Sequence, residues 1–388
     1  MKKNNIQNIL IIAFIIRFVL LLVNNYIFIL PQGGGDAIGF ESRAYLISIS
    51  DYSEINLVDI LSSGVRLYNL LISFVYYIIG RHPIILGLTN VSLGTYLVYL
   101  VYRATLLLWN NRTNAIKAAW FTTFFPLLMV ESALILRELP IMVASMLGII
   151  SFIKFWKYNQ KTKIFGFIIF TFIAALFHSG VLFIFIGYIL FINFQAKGSN
   201  FFTKIFSIAL VVLALYIMNE TGIGTNKIGG SFDKSIELLQ KREQYDVHGG
   251  SHYPEWMRLS GNNMDLVKIP VRYITFLFSP LIPWLVRSLW HSVGLIDAIL
   301  YLLMFYVILK NRKIFKFNET AKAVFVMILL TALVFSLGVT NVGTAIRHRA
   351  KIAPLLIVLT AGMNKEQLQI YYQQYLEYKK KYLKKYKK

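Results

Sequence analysis

LPIMVASMLGIISFIKFWKYNQKTKIFGFIIFTFIAALF, residues Leu139 to Phe177, holds two apolar runs, 139–156 and 164–177, around a turn. Lys154, Lys157, Lys161 and Lys163 gather at that turn. A helix that is apolar on every side is buried in a large core or in lipid, and about 20 such residues cross a ~30 Å hydrocarbon layer. Lysine and arginine collect on the cytoplasmic side of such segments. The stretch therefore predicts a transmembrane hairpin with its turn in the cytoplasm.

The same pattern repeats on both sides. Apolar spans run over 8–30, 84–108, 118–136, 139–156, 164–177, 180–194, 205–219, 294–310, 319–337 and 351–363. The first, behind Lys2 and Lys3, reads as a signal-anchor helix, because it is long and no small-residue cleavage site follows it. Two further apolar stretches, 65–80 and 270–292, are ambiguous. Pro270, Pro280 and Pro283, with Arg272 and Arg287, suit an interfacial or re-entrant segment better than a straight span.

Charge decides between the topologies. With ten spans, Arg103 to Lys117, the 154–163 lysines, Lys197, Lys204, Lys310, Arg312, Lys313, Lys316 and the terminal KKKYLKKYKK all face inward. If 65–80 and 270–292 crossed as well, the lysine-rich loops between them would face outward. The expected fold is thus an all-α integral membrane protein of about ten transmembrane helices, N-in and C-in, with extracytoplasmic juxtamembrane helices. Residues 1–363 form one polytopic domain with outer loops 31–83 and 220–293, and 364–388 form a basic cytoplasmic tail.

Composition agrees. The 388 residues are 57% hydrophobic and only 15% charged, with a mean hydropathy of +0.59, whereas soluble chains are about a quarter charged. The net charge of +22 follows from topology and from contact with anionic membrane lipid, so nucleic acid is not an expected partner. The chain has no cysteine, which excludes disulfides and thiolate metal sites.

Five polar clusters fall on the outer side, where ionisable groups near a bilayer are functional candidates. GGGDAIGFESRAY, Gly33 to Tyr45, offers Asp36 as a general base or metal ligand, with Glu41 and Arg43 close behind; the structural alternative is a solvated loop with an N-cap aspartate. Arg137–Glu138 occupies the tightest outer turn, as a functional pair or a structural one. His178, with Ser179 and Gly180, is at another turn, where a packed histidine is the competing reading. QKREQYDVHGGSHYPEWMRL, Gln240 to Leu259, carries Arg242, Asp246, His248, His252, Tyr253 and Glu255, and fits an aromatic and basic lid over a sugar or pyrophosphate. NVGTAIRHRAKIAP, Asn341 to Pro354, clusters Arg347, His348, Arg349 and Lys351, and arginine binds phosphate oxygens bidentately. A lipid-linked phosphate or a phospholipid headgroup would match it. No nucleotide-binding motif is present.

In order, Asp36, the segment Gly64 to Asn90 (GVRLYNLLISFVYYIIGRHPIILGLTN), Glu138 in LILRELP and the terminal RHRAKIAP resemble the GT-C class of polytopic glycosyltransferases. Length and the large outer loop between helices seven and eight are similar to Wzy-type repeat-unit polymerases of Gram-positive capsule loci, staphylococcal ones included. The resemblance implies transfer of a growing glycan from undecaprenyl pyrophosphate to an incoming lipid-linked repeat unit, in a pathway shared with a flippase and a chain-length regulator. It implies no cofactor and, where arginines hold the pyrophosphate, no metal; the chain departs from the metal-dependent pattern in lacking a clear acidic pair in the first loop. Arg347 and Arg349, with Arg137, would stabilise the departing pyrophosphate, and Asp36, Glu138 or His248 would deprotonate the acceptor. Arg43, His178, Arg242, His252, Tyr253 and His348 would complete substrate binding, and the 220–268 loop would close over the glycan. The rival readings are a transferase using a polyprenyl-monophosphate sugar and a lipid-linked oligosaccharide flippase, the latter expected to carry charge at mid-membrane depth.

Overall fold

The computed structural model describes residues 5–50, 63–194, 252–259, 265–281 and 288–385, together with 52, 56, 60–61, 201–202, 204–205, 208–209 and 286. The span expected over 205–219, most of the 220–268 lid, Arg242 and His248 lie outside the described residues. The described chain is helical, and its one β-bridge joins His252 to Asn341. Five helices are long and apolar enough to cross a bilayer: Ile6–Tyr26, Pro83–Trp109, Glu138–Tyr158, Leu289–Lys310 and Glu319–Leu337. This is an all-α membrane protein.

Helices α1 (Asn5–Tyr26), α2 (Asp36–Ser48), α3 (Gly64–Ile79) and α4 (Pro83–Trp109) open the chain. Helix α1 packs on α4 and leaves Ile11, Ile15 and Val19 exposed, as a lipid-facing helix does. After it the chain turns sharply through Gly35, whose positive φ of 49° suits glycine. Helices α2 and α3 pack against each other and are clipped by Arg81, which donates two 2.9 Å hydrogen bonds to the Glu41 carboxylate. Those bonds hold the Glu41 carboxyl below its usual range, against the opposing effect of burial. Gly64 touches the end of the next hairpin: a Cβ there would meet the Phe177 carbonyl oxygen at 2.1 Å.

The span expected over 118–136 is not one helix. It is split into α5 (Arg112–Thr123) and α6 (Pro126–Ser132), followed by an irregular linker to Glu138. Proline has no N–H to offer the carbonyl four residues back, so Pro126 frees Thr122 O. Arg17 supplies the missing donors. Its guanidinium reaches Thr122 O at 3.2 Å, Thr123 O at 3.4 Å and Ser132 Oγ at 3.3 Å. Buried backbone polar groups must be satisfied within the protein in lipid, which explains the one arginine inside the first apolar run. The linker is held the same way: the buried Asn90 side chain donates to Leu134 O and, at 3.0 Å, to Leu136 O.

Helices α7 (Glu138–Tyr158), α8 (Lys163–Phe177) and α9 (Phe183–Phe194, entered by a 3-10 turn at Ser179–Leu182) follow the expected spans closely. Asn159 ends α7 in the left-handed region at φ 52°. Later, α10 (Asp265–Phe278) covers the start of the ambiguous 270–292 stretch, and α11 (Leu289–Lys310) and α12 (Glu319–Leu337) are long apolar helices.

Residues 338–350 were expected to form an outer turn. Instead α13 (Val342–Ala350) is a helix with buried residues packed among α6, α10, α11 and α12, and α14 (Ala353–Ala361) continues after a break at Lys351–Ile352. Pro354 marks the restart. The broken pair α13–α14 packs along the broken pair α6–α5. Helix α15 (Lys365–Lys385) forms the tail, anchored where Gln367 Nε2 donates to Trp109 O at 3.3 Å.

Candidate functional site

The two ends of the bundle differ in chemistry. At the Trp109 end, Lys157 Nζ closes the last turn of α4 by donating to Leu107 O and Leu108 O, both at 2.8 Å. At the other end, where α2, α6, α7 and α13 meet, charged side chains enter the protein interior. Helix α7 has 21 residues, so Glu138 at its N-terminus is about 30 Å from the Trp109 end.

Arg347 is the centre of this cluster. It donates a hydrogen bond to Asp36, the first residue of α2, and its Nε lies 3.3 Å from Glu138 Oε1. Lys351 Nζ lies 3.5 Å from the same oxygen and 5.6 Å from the centre of the Phe335 ring. Glu138 and Lys351 are buried; the Arg347 side chain is 15% exposed and Asp36 is 56% exposed, so the cluster opens at Asp36. Glu131, near the end of α6, is 1% exposed and within electrostatic reach of Glu138, Lys351 and Arg347. Arg137 is within reach of Glu138, Arg347 and Asp36. Three acids (Asp36, Glu131, Glu138) thus face three cations (Arg137, Arg347, Lys351), and their formal charges cancel when all six are ionised.

The other expected residues divide. Arg137 spends a donor on Phe177 O at 2.9 Å, tying α7 to the end of α8. His178 and His348 stack edge to face, 4.8 Å apart, and both lie against Phe335. Arg349, expected to hold pyrophosphate, is fully buried on another face of α13. It pairs with Asp297 of α11 at 2.9 Å and donates to the carbonyls of Leu277, Ser279 and Gly294, so it is committed to holding helices together. Arg43 is exposed on α2, outside the cluster. His252 forms a β-bridge with Asn341, Tyr253 N donates to Thr340 O, and the buried Tyr253 ring lies 5.6 Å beneath Arg272. That places the end of the expected lid against the start of α13.

Glu131 and Asp297 are absent from the expected site. Each is the sole acid in its apolar run, 118–136 and 294–310, and an intramembrane acid is itself a signal. Among the described residues no three His, Asp or Glu side chains gather in a way that could hold a metal ion. Comparison with protein-family models, curated proteins and solved structures gives no match.

Proposed function

We propose that the protein transfers a glycosyl group from a polyprenyl-phosphate-linked donor on the outer face of the membrane, extending lipid-linked repeat units into a surface polysaccharide. The observation that carries this reading is the Asp36–Arg347 pair, exposed at the mouth of a buried Glu138–Lys351 site one bilayer thickness from the basic end. Of the three arginines expected to meet phosphate, Arg347 alone faces that mouth, since Arg137 and Arg349 are engaged elsewhere.

In this mechanism a donor phosphate draws Arg347 away from Asp36. The freed carboxylate takes the proton of the acceptor hydroxyl, whose oxygen attacks the anomeric carbon. The bond from that carbon to the phosphate oxygen breaks, and Arg347 stabilises the charge left on the departing lipid phosphate. Glu138, clamped between two cations, is the weaker candidate for base. A deletion strain complemented with wild type, Asp36→Asn or Arg347→Ala at matched membrane levels tests this. Loss of long glycans with accumulation of single lipid-linked repeats is expected; long glycans lacking one sugar would point instead to a monosaccharide transferase.

A transport reading draws on a different observation. The two broken helix pairs pack together and carry Glu131, Arg349 and Lys351 into the interior, as discontinuous helices do in many transporters. Unfinished repeats trapped on the cytoplasmic leaflet of the Arg347→Ala strain would favour it.

A further inference from the structure

Five buried polar atoms that make no hydrogen bond share one place. Both carboxyl oxygens of Glu131, Glu138 Oε2, Lys351 Nζ and Arg347 Nε are all shielded and all lack one. Such groups are rare in folded proteins, and each calls for an explanation in a ligand, ion or water. Here they belong to four neighbouring residues and include both kinds: the carboxyl oxygens accept, whereas the ammonium and guanidinium only donate.

A phosphate would answer half of this set. Its oxygens accept from Lys351 and Arg347 but repel the Glu138 carboxylate and give the Glu131 oxygens no donor. A sugar hydroxyl answers both halves, since it carries one donor and two acceptor lone pairs. Adjacent hydroxyls on one ring could donate to Glu131 and accept from Lys351 together. We propose that Glu131, Glu138 and Lys351 form a subsite for the hydroxyl groups of a neutral sugar, below a mouth where Arg347 meets phosphate. The ligand class rests on the glycosyl-transfer reading; the assignment of Glu131 as a binding rather than structural residue does not.

A residue held unpartnered for a ligand has a distinctive signature: removing it raises stability and lowers function. Glu131→Leu and Glu131→Gln would be melted in detergent and, in the complemented strain, scored for glycan length. Glu131→Leu is expected to melt at or above the wild-type temperature while long glycans fall about tenfold or more. Glu131→Gln, which keeps an acceptor oxygen, should retain more of them. Melting more than about 5 °C below wild type for Glu131→Leu would make the carboxyl structural and overturn the assignment. Normal glycans in both Glu131 variants, with loss in Arg347→Ala, would overturn the subsite alone; normal glycans in all three would overturn the glycosyl-transfer reading and the ligand with it. Purified Arg347→Ala, which lacks the phosphate ligand of the mouth, is expected to melt unchanged in millimolar inorganic pyrophosphate. A rise of several degrees would assign the subsite to phosphate and overturn the hydroxyl chemistry.

Discussion

Successive residues of a helix point about 100° apart, so Arg347, His348 and Arg349 reach three different neighbourhoods of the fold. Arg347 meets Asp36 and Glu138, His348 meets His178, and Arg349 meets Asp297. The two arginines should therefore fail differently. Removing one partner of a buried ion pair strands the other charge, at about 3–5 kcal/mol, so Arg349→Leu should leave little folded protein in detergent extracts. Asp297→Leu in the same chain should restore part of it, because the stranded charge goes while the carbonyls of Leu277, Ser279 and Gly294 stay bare. Arg347→Ala leaves Glu138 facing Lys351 and frees the half-exposed Asp36 to water, so it should extract better and melt higher than Arg349→Leu. Size-exclusion and melting profiles of the three variants check this, and equal damage from both single changes would refute the division. In the sequence the two arginines are indistinguishable: RHRAK announces cations, but only the packing of α13 says which of them the interior consumes. Glu131 escaped notice for the converse reason, as one acid in a run apolar enough to read as a plain span.

At the level of elements, helices over 84–108, 139–156, 164–177 and 319–337 were legible within a few residues, because hydropathy and charged turns mark both ends. The break in the 118–136 span and the helix before the 351–363 span were not. An apolar run says that a segment is buried, while its continuity depends on whether freed carbonyls find donors. Pro126 was visible in the sequence; the donor, Arg17, is 105 residues from Thr122 and is brought there by the packing of α1 on α5 and α6. If Arg17 exists to satisfy that break, Arg17→Met should lower stability by about 1–3 kcal/mol for the carbonyls left bare. Pro126→Ala restores an N–H that can reach Thr122 O and should recover part of the loss. A four-point double-mutant cycle of thermal stability measures the coupling. Additive effects would mean that Arg17 and the break are independent.

For the whole molecule, the helix ends sort into two groups whichever way the protein sits in the membrane. Lys157 at Leu107–Leu108, Asn318 at Tyr371 and Gln367 at Trp109 bring the lysine-bearing turns together with the tail. Asp36 at Arg347, Gln32 at Gly343 and Arg137 at Phe177 gather at the other end. The structure thus groups the loops, and the positive-inside rule supplies their orientation: the Trp109 end should be cytoplasmic, because the basic turns stay with the anionic leaflet and the negative interior. The chain has no cysteine, so single cysteines report without background. Arg43→Cys, exposed on α2, should react with a membrane-impermeant maleimide in intact cells. Lys161→Cys and Lys313→Cys, in exposed basic turns, should react only after permeabilisation. The reverse pattern would place the Asp36–Arg347 mouth in the cytoplasm, away from any outer-leaflet acceptor, and would end the proposed chemistry whatever the side-chain variants showed. Labelling of Arg43→Cys and Lys161→Cys from the same side would break the grouping itself, since the two lie at opposite ends of the bundle.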